Sequence, residues 1–222
     1  MDFGRSFSYV RQDPNWLVKT VLGSVIMLVP ILNFAATGYA MDVLRNVYNG
    51  QETPLPEWGD NFGDRLVRGF IGSIIQFIYA LPLVLLGCGF AIITSVGAAS
   101  LGESGASGLG LVGLCLVPVF IVGAFGLSIL GMIGQARYAI SNDFGQALRV
   151  GEVVAEFRRN LGGWLGLIGM TIVLSLAATI GFAITCGLGI LLAFYITLVT
   201  YHWMAQAHRQ SAQPPALSTQ ML

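Results

Sequence analysis

Charge is what this sequence has least of, since only 10% of its residues are charged while 55% are apolar. A soluble domain carries about 25% charged residues, so a water-facing surface over the whole chain is excluded. The 11 basic and 11 acidic residues balance to a net charge of zero. The protein therefore lacks the broad basic face that nucleic-acid binding requires, and we expect no nucleic-acid partner.

Residues that carry chemistry are also scarce. Cys88, Cys115 and Cys186 stand alone within apolar runs, without metal-site spacing or the pairing of a disulfide framework. His202 and His208 are six residues apart, which places them on opposite faces of a helix. No ionisable residue lies deep within an apolar run, where such residues mark proton relays and membrane-embedded active sites. We therefore expect no metal, no cofactor and no enzymatic activity.

Long apolar runs dominate what is present. They cover roughly residues 17–40, 66–99, 109–136 and 161–205, and each is too long for the core helix of a soluble domain. Strands of a membrane barrel would alternate apolar and polar residues, whereas these runs are apolar on every face. In hydrocarbon, a continuous apolar run satisfies its backbone polar groups by forming an α-helix. The sequence predicts an all-α integral membrane protein in the lipid bilayer.

A short motif recurs three times before an apolar segment. Phe-Gly follows an acidic or amide residue at Phe3-Gly4, Phe62-Gly63 and Phe144-Gly145. The preceding side chain can cap a helix, which predicts amphipathic interfacial helices at these points. We interpret residues 1–209 as a single polytopic membrane domain and residues 210–222 as a disordered cytoplasmic tail. The repeats within that domain would span residues 2–50, 61–142 and 143–209.

Lys and Arg residues predict the topology. They fall in four regions, and neither residues 100–108 nor residues 185–189 contain any. The positive-inside rule makes all four regions cytoplasmic, so each apolar stretch must enter and return on the same side. We therefore expect three helical hairpins with five or six membrane segments in the cell inner (plasma) membrane. The basic loops and the C-terminus would face the cytoplasm.

The first hairpin is the difficult one. Residues 17–44 would form either a short re-entrant hairpin that turns at Pro30 or one tilted crossing that is kinked there. Proline cannot continue an undistorted helix, and Asn33 can begin a new one. We therefore favour the re-entrant hairpin over a single crossing, which would place the N-terminus outside.

Three groups of residues are candidate contacts. The loop between the first two repeats holds two prolines and a tryptophan, and it is either a docking surface or, more simply, a rigid connector. Glycines at helical spacing allow helices to approach closely within the chain or with a partner. A basic amphipathic stretch suits anionic lipid headgroups. The respective residues are Pro54, Pro56 and Trp58; Gly123, Gly126, Gly162 and Gly166; and Arg149, Arg158 and Arg159.

Five segments carry a likeness to a known family. They are Met1-Asp2-Phe3-Gly4, Asp13-Pro14-Asn15-Trp16, Val29-Pro30-Ile31, Gly38-Tyr39 and Pro54-Leu55-Pro56-Glu57-Trp58. In these segments the chain resembles the prokaryotic membrane family known as domain of unknown function 4013. The resemblance implies a multi-pass bacterial or archaeal membrane protein without an assigned activity, so it carries over no functional residue.

Two functions remain open at this point. The chain could be a non-enzymatic accessory or scaffold subunit that packs against other membrane proteins or against itself. It could instead be a permease-like protein that passes a neutral or lipidic solute between its hairpins. We favour the first, because the glycine-rich helices suit tight packing.

Overall fold

A computed structural model describes residues 3–51, 55–184 and 191–212, and every regular element within them is an α-helix. The helices are α1 (Phe3–Arg11), α2 (Trp16–Leu28), α3 (Asn33–Tyr48), α4 (Phe62–Ser141), α5 (Phe144–Ala147), α6 (Val150–Arg159), α7 (Leu161–Ile184) and α8 (Leu191–Ala212). Three stretches are long and apolar enough to cross a membrane, namely Phe62–Gly97, Gly110–Ser141 and Leu161–Ala183. The predicted all-helical membrane class is thereby confirmed.

Helix α4 consists of two arms that lie side by side. Its 80 residues would extend about 120 Å as one straight rod. Instead, the Gln135 side-chain amide donates to the Gly72 carbonyl oxygen at 2.9 Å, and Gly113 lies against the Phe90 ring. Because residue 72 meets residue 135 and residue 90 meets residue 113, the arms run antiparallel. We call Phe62–Gly97 the outgoing arm and Gly110–Ser141 the returning arm.

Helices α2 and α3 are separated by the break at Pro30. Helix α2 ends at Leu28, Val29 is extended (φ −91°, ψ 119°), and α3 begins at Asn33. The chain then turns back on itself, since the Asn33 amide donates to the Val29 carbonyl oxygen at 2.9 Å and the two helices pack together. A proline lacks the amide hydrogen that would continue α2 through this point.

Two glycines bring α3 and α4 into backbone contact. A methyl group at Gly38 would overlap the carbonyl oxygen of Arg65, and one at Gly69 would overlap the carbonyl oxygen of Phe34. Residues without side chains are needed wherever two helices approach this closely. The crossing fixes α3 against the start of the outgoing arm.

Helix α8 is the centre of the packing. It contacts α1, α2, α3, α4, α6 and α7. Gln135 links it to both arms of α4, because its side-chain oxygen accepts from the Tyr201 hydroxyl at 3.0 Å while its nitrogen binds Gly72. Gln135 thus makes interhelical hydrogen bonds, as polar side chains in apolar helices commonly do. The largest fully buried side chains are Trp164, Trp203, Tyr39, Phe194, Met41, Leu44, Ile75, Ile133, Leu167, Leu198, Met204 and Val10.

The predicted helix caps have different outcomes. The Asp143 carboxylate accepts from the Gly145 amide at 2.8 Å and caps α5, as predicted. Asn61 makes no side-chain cap, and its backbone is left-handed with φ 52°. Asparagine tolerates that conformation better than most residues, so Asn61 serves the turn into α4 through its backbone rather than through its side chain. The first expected cap, Asp2, lies outside the described residues.

Candidate functional site

The charged residues gather at one end of the molecule, which we call the charged end. It contains α1, the C-terminal ends of α3 and α8, the two ends of α4, and α6. Side-chain contacts among the described residues join these elements to one another. Arg65 forms an ion pair with Asp42, the His208 ring nitrogen contacts the Glu156 carboxylate, and the Tyr48 ring packs on the His208 ring. Beyond this end, residues 69–97, 110–136 and 161–184 contain no charged residue.

Lys19 is the buried cation at the centre of this end. The Asp13 carboxylate accepts from the Asn15 amide at 2.7 Å, which turns the chain into α2 and places Lys19 one turn later. The Lys19 ammonium contacts Asp13 at 2.7 Å, Glu57 at 2.7 Å and the Leu55 carbonyl oxygen at 2.8 Å. An ammonium group has three donors, and all three are used. This explains how a lysine that is only 5% exposed is tolerated.

The loop between α3 and α4 is held in place by two aromatic residues. The Tyr39 hydroxyl donates to the Pro56 carbonyl oxygen at 2.7 Å. The Trp58 indole stacks on the Tyr39 ring with centroids 4.3 Å apart and donates to the Lys19 carbonyl oxygen at 3.0 Å. Phe194 of α8 packs against both rings. The described part of this loop is therefore a fixed part of the fold.

Asp42 completes the cluster by joining α3 to α4. Its carboxylate accepts from Arg65 at 2.8 Å and forms an ion pair with Arg68. Arg65 also donates to the Glu57 carbonyl oxygen, and its guanidinium lies 5.1 Å from the centre of the Tyr39 ring. We call Asp13, Lys19, Tyr39, Asp42, Leu55–Trp58 and Arg65 the ion-pair cluster.

Three of the five segments that carry the family likeness meet in this cluster. Asp13–Trp16, Gly38–Tyr39 and the described part of the Pro54–Trp58 segment are distant in the sequence but adjacent in space. Their arrangement holds helices together. Trp58 is 8% exposed, which leaves little of its surface for a partner. Pro56 is half-buried, and Pro54 lies outside the described residues.

Helix α6 is tied to the same end by a second set of ion pairs. Arg137 pairs with Glu152 and with Glu156, and the His208 ring nitrogen contacts Glu156 at 2.6 Å. Hydrogen bonds from Arg149 and from Arg137 hold the pKa of Glu152 below its ordinary value. Val153 and Glu156 face inward, while the opposite side of α6 is exposed. The helix thus has the two-sided character of an interfacial helix.

The residues predicted to meet headgroups lie on the exposed side of that region. Arg158 and Arg159 end α6 and point outward, and Arg149 precedes the helix. The Arg149 guanidinium already forms an ion pair with Glu152 at 3.1 Å. Arg158 has no ion-pair partner among the described residues.

The glycines predicted to allow close packing differ in their surroundings. Gly123 touches the Leu83 side chain across α4, and Gly166 is half-buried. Gly126 and Gly162 have no neighbouring atom where a side chain would lie. Close contacts within the chain instead use glycines outside this predicted group, above all Gly38 and Gly69.

A polar cleft opens between α1 and the ends of α3 and α8. It measures about 690 Å³, and its walls include Arg5, Tyr9, Gln12, Gln206 and Arg209. His202 also lines the cleft, and its ring nitrogen lies 2.6 Å from the Ser6 hydroxyl. The Tyr9 hydroxyl is buried and has no hydrogen-bond partner among the described residues. Sequence reasoning missed this cleft, since its walls come from opposite ends of the chain.

Metal ligands and thiols give no further candidate site among the described residues. Within the described ranges, no three His, Cys, Asp or Glu residues are grouped so that they could hold a metal ion. Cys88 and Cys115 are free, exposed thiols on the two arms of α4, and Cys186 lies outside the described residues.

Comparison with known proteins identifies a family without an assigned role. Residues 21–193 match the family described as protein of unknown function (DUF4013). No curated protein and no solved structure matches the chain. The matched residues cover most of the sequence, including the break at Pro30 and both arms of α4. The chain therefore belongs to the DUF4013 family.

Proposed function

We propose that this chain is a non-enzymatic accessory or scaffold subunit that packs against other membrane proteins, or against further copies of itself, through its apolar arms. The observation that supports this role is the exposure of the three candidate spans. In the most apolar window of each span, only 6% of the residues are buried within the chain. Helices of a self-contained membrane bundle would cover one another more fully.

Exposed glycines distinguish a packing surface from a surface that meets only lipid. Gly126 lies on the returning arm and Gly162 and Gly169 lie on α7, each with open space where a side chain would be. Association of membrane helices depends on close van der Waals contact, which small residues permit. A neighbouring helix would gain contact area at these positions, whereas lipid tails fill any surface equally well.

The proposed topology has three hairpins, with the charged end in the cytoplasm and the arms in the inner membrane. All 11 Lys and Arg residues lie within or near the ends of the long apolar stretches, and none lies at positions 100–108 or 185–189 of the sequence. Helices α2 and α3 have 13 and 16 residues, about 20 Å and 24 Å, and are shorter than the hydrocarbon core. Their shortness supports a re-entrant first hairpin.

A permease-like role is the second candidate. In its favour is an apolar groove of about 460 Å³ between the arms of α4, bordered by Gly87, Phe90 and Gly113. This groove lies within one hairpin rather than between the three, which makes it a poorer fit to a transport path. Reconstituted vesicles would be tested for flip of a fluorescent phospholipid, and a rate above that of protein-free vesicles would favour the permease.

The scaffold role is tested by copurification. The full chain would be extracted in a mild detergent, and its partners would be identified by mass spectrometry. We expect a stoichiometric membrane protein or a homo-oligomer, and Gly162→Leu with Gly169→Leu should reduce the recovered partner about tenfold. Gly59→Leu is the matched control, because Gly59 is equally open but lies in the loop before α4. A monomer without partners, or an undiminished partner in the double variant, would contradict the role.

A further inference from the structure

Helix α6 lies directly before a candidate membrane span. It ends at Arg159, and α7 begins at Leu161, the first of the 23 residues of the third span. Only Asn160 separates the two helices. If the span crosses a bilayer, the last turn of α6 lies where the hydrocarbon gives way to the lipid headgroups. Arg158 and Arg159 occupy that turn.

The junction between α6 and α7 is held by side-chain contacts. The Asn160 side-chain oxygen accepts from the Gly163 amide at 3.2 Å, and its side-chain nitrogen donates to the Ala207 carbonyl oxygen of α8 at 3.1 Å. Within α6, Glu156 is 2% exposed and pairs with Arg137 of the returning arm. The fold therefore sets the direction in which the end of α6 presents its arginines.

The acidic residues of α6 are already paired, whereas its last two arginines are not. The two glutamates of the helix are engaged by Arg137 and Arg149. Arg158 is exposed and has no ion pair with any described residue. Arg159 is exposed as well, and its Nε donates to the Ala155 carbonyl oxygen of its own helix at 3.4 Å. Two guanidinium charges thus face outward without a counter-charge from α6.

An apolar flank lies beside these arginines. Val150, Val154 and Phe157 are spaced by four and three residues, which places them along one side of α6. Val150 is 54% exposed, and Leu161 at the start of α7 is 45% exposed. Arg158 follows Val154 by four residues and lies at the edge of the same side. Arginine beside exposed apolar side chains suits a surface where lipid tails meet headgroups.

We propose that the end of α6 binds the headgroup of an anionic phospholipid, with Arg158 and Arg159 pairing with its phosphate and the apolar flank lying against its acyl chains. Guanidinium groups match the geometry of phosphate oxygens and bind them through two parallel hydrogen bonds. A lipid fits better than a soluble anion, because the arginines adjoin a candidate span and exposed apolar side chains. Arg149, which the sequence also indicated as a headgroup contact, pairs instead with Glu152. The proposal does not depend on the scaffold role.

The test measures which lipid the protein retains. The full chain in a neutral detergent would be incubated with equal amounts of phosphatidylglycerol and phosphatidylcholine and separated from free lipid by gel filtration. The retained lipids would then be counted by mass spectrometry. Phosphatidylcholine also carries a phosphate but has no net charge. We expect an excess of phosphatidylglycerol that falls as the salt concentration rises. Equal retention of the two lipids would overturn the proposal.

Variants show whether the two arginines carry this preference. Arg158→Gln combined with Arg159→Gln should lower the ratio of retained phosphatidylglycerol to phosphatidylcholine about tenfold. The thermal unfolding transition should not change, because both side chains are exposed. Replacing both arginines by lysine keeps the charges and should preserve most of the preference.

Arg149→Gln is the matched control, because it removes the same charge from the other end of α6, where Glu152 is the partner. It should change the lipid ratio less than about twofold. An undiminished preference in the double glutamine variant, or an equal loss in Arg149→Gln, would overturn the proposal.

Discussion

The charged end and the apolar arms of this protein differ in how fully their side chains are buried within the chain. At the charged end, Lys19, Asp42 and Arg65 are enclosed and their polar groups are engaged by side chains and carbonyl oxygens from several helices. Along the arms, large side chains such as Leu114 and Val122 are about two-thirds exposed or more. The charged end is thus the better packed region, whereas the apolar arms make few contacts within the chain.

This difference indicates where the fold is specified. Apolar surface that meets lipid gains nothing by being buried against another apolar helix. Hydrogen bonds, ion pairs and close backbone contacts at the charged end must therefore determine how the helices are arranged. Substitutions there should destabilise the protein, and substitutions on the exposed faces of the arms should leave it folded. The predictions below test that contrast.

The largest effect is expected from Asp42→Asn. The variant leaves the Arg65 guanidinium, which is 3% exposed, without its carboxylate partner. Breaking a buried ion pair from one side should lower the free energy of unfolding by about 4 kcal/mol. The measurement is thermal unfolding in detergent followed by circular dichroism. Glu152→Gln is the control, since Glu152 is exposed and Arg137 keeps Glu156; an equal loss in both variants would contradict the contrast.

Gly38→Ala should have the next largest effect. The added methyl group would overlap the Arg65 carbonyl oxygen, and backbone cannot move aside as a flexible side chain can. Forcing α3 and α4 apart should cost about 3 kcal/mol of stability in the same unfolding measurement.

Gly89→Ala provides the comparison, because Gly89 lies on the outgoing arm with no neighbouring atom. It should leave the unfolding transition unchanged or raise it slightly, since alanine favours helix. Equal destabilisation by Gly38→Ala and Gly89→Ala would show that the loss at Gly38 does not come from the close contact between α3 and α4.

Gln135→Leu should have an intermediate effect. It removes the acceptor of the buried Tyr201 hydroxyl and the donor to the Gly72 carbonyl oxygen. Leaving these groups unpaired should cost about 2 kcal/mol, measured by the same unfolding transition. A second substitution, Tyr201→Phe, should recover part of the loss, because it removes one of the unpaired groups. Failure of that recovery would mean that Gln135 acts through packing alone.

The smallest effect is expected from Leu114→Ala on the returning arm. The side chain is 68% exposed within the chain, so its truncation should change the free energy of unfolding of the isolated chain by less than about 0.5 kcal/mol. Leu198→Ala on α8 is the matched truncation of a fully buried leucine and should cost about 3 kcal/mol. Similar losses at both positions would show that the arms are buried against something in the isolated protein, as in a homo-oligomer.

Local features could be read from the sequence because their causes are local. Apolar runs longer than a core helix indicated the regions in which the three candidate spans lie, while the count of five or six membrane segments stays a prediction. A missing amide hydrogen at Pro30 marks the break between α2 and α3. The Asp143 cap and the interhelical role of Gln135 follow from one side chain and its immediate setting. Asn61 failed as a side-chain cap, because the same residue also suits a left-handed turn.

The site could not be read in the same way, because its contacts join distant positions. Ser6 and His202 are 196 residues apart, and Lys19 meets the Leu55 carbonyl oxygen across 36 residues. Periodicity says which face of a helix is apolar but not which helix will cover it. The sequence shows the family segments only as separate stretches of the chain. Three of them meet near Lys19 and Tyr39, and only the structure shows that they form one cluster.

The most direct test of the contrast is the side of the membrane on which the charged end lies. A labelling test needs exposed positions, and Ser6 is unsuitable because it is buried against His202. Single cysteines would instead be placed at Gly59 and Gly151, which are exposed and lie before and after α4 in the sequence. The three native cysteines would be replaced, and intact cells would be treated with a membrane-impermeant maleimide. Glu103→Cys, between the outgoing and returning arms in the sequence, serves as the control that the proposed topology places outside. We expect Gly59→Cys and Gly151→Cys to be labelled only after the cells are permeabilised, and Glu103→Cys to be labelled before. Labelling of either position 59 or position 151 in intact cells would contradict a charged end on the cytoplasmic side.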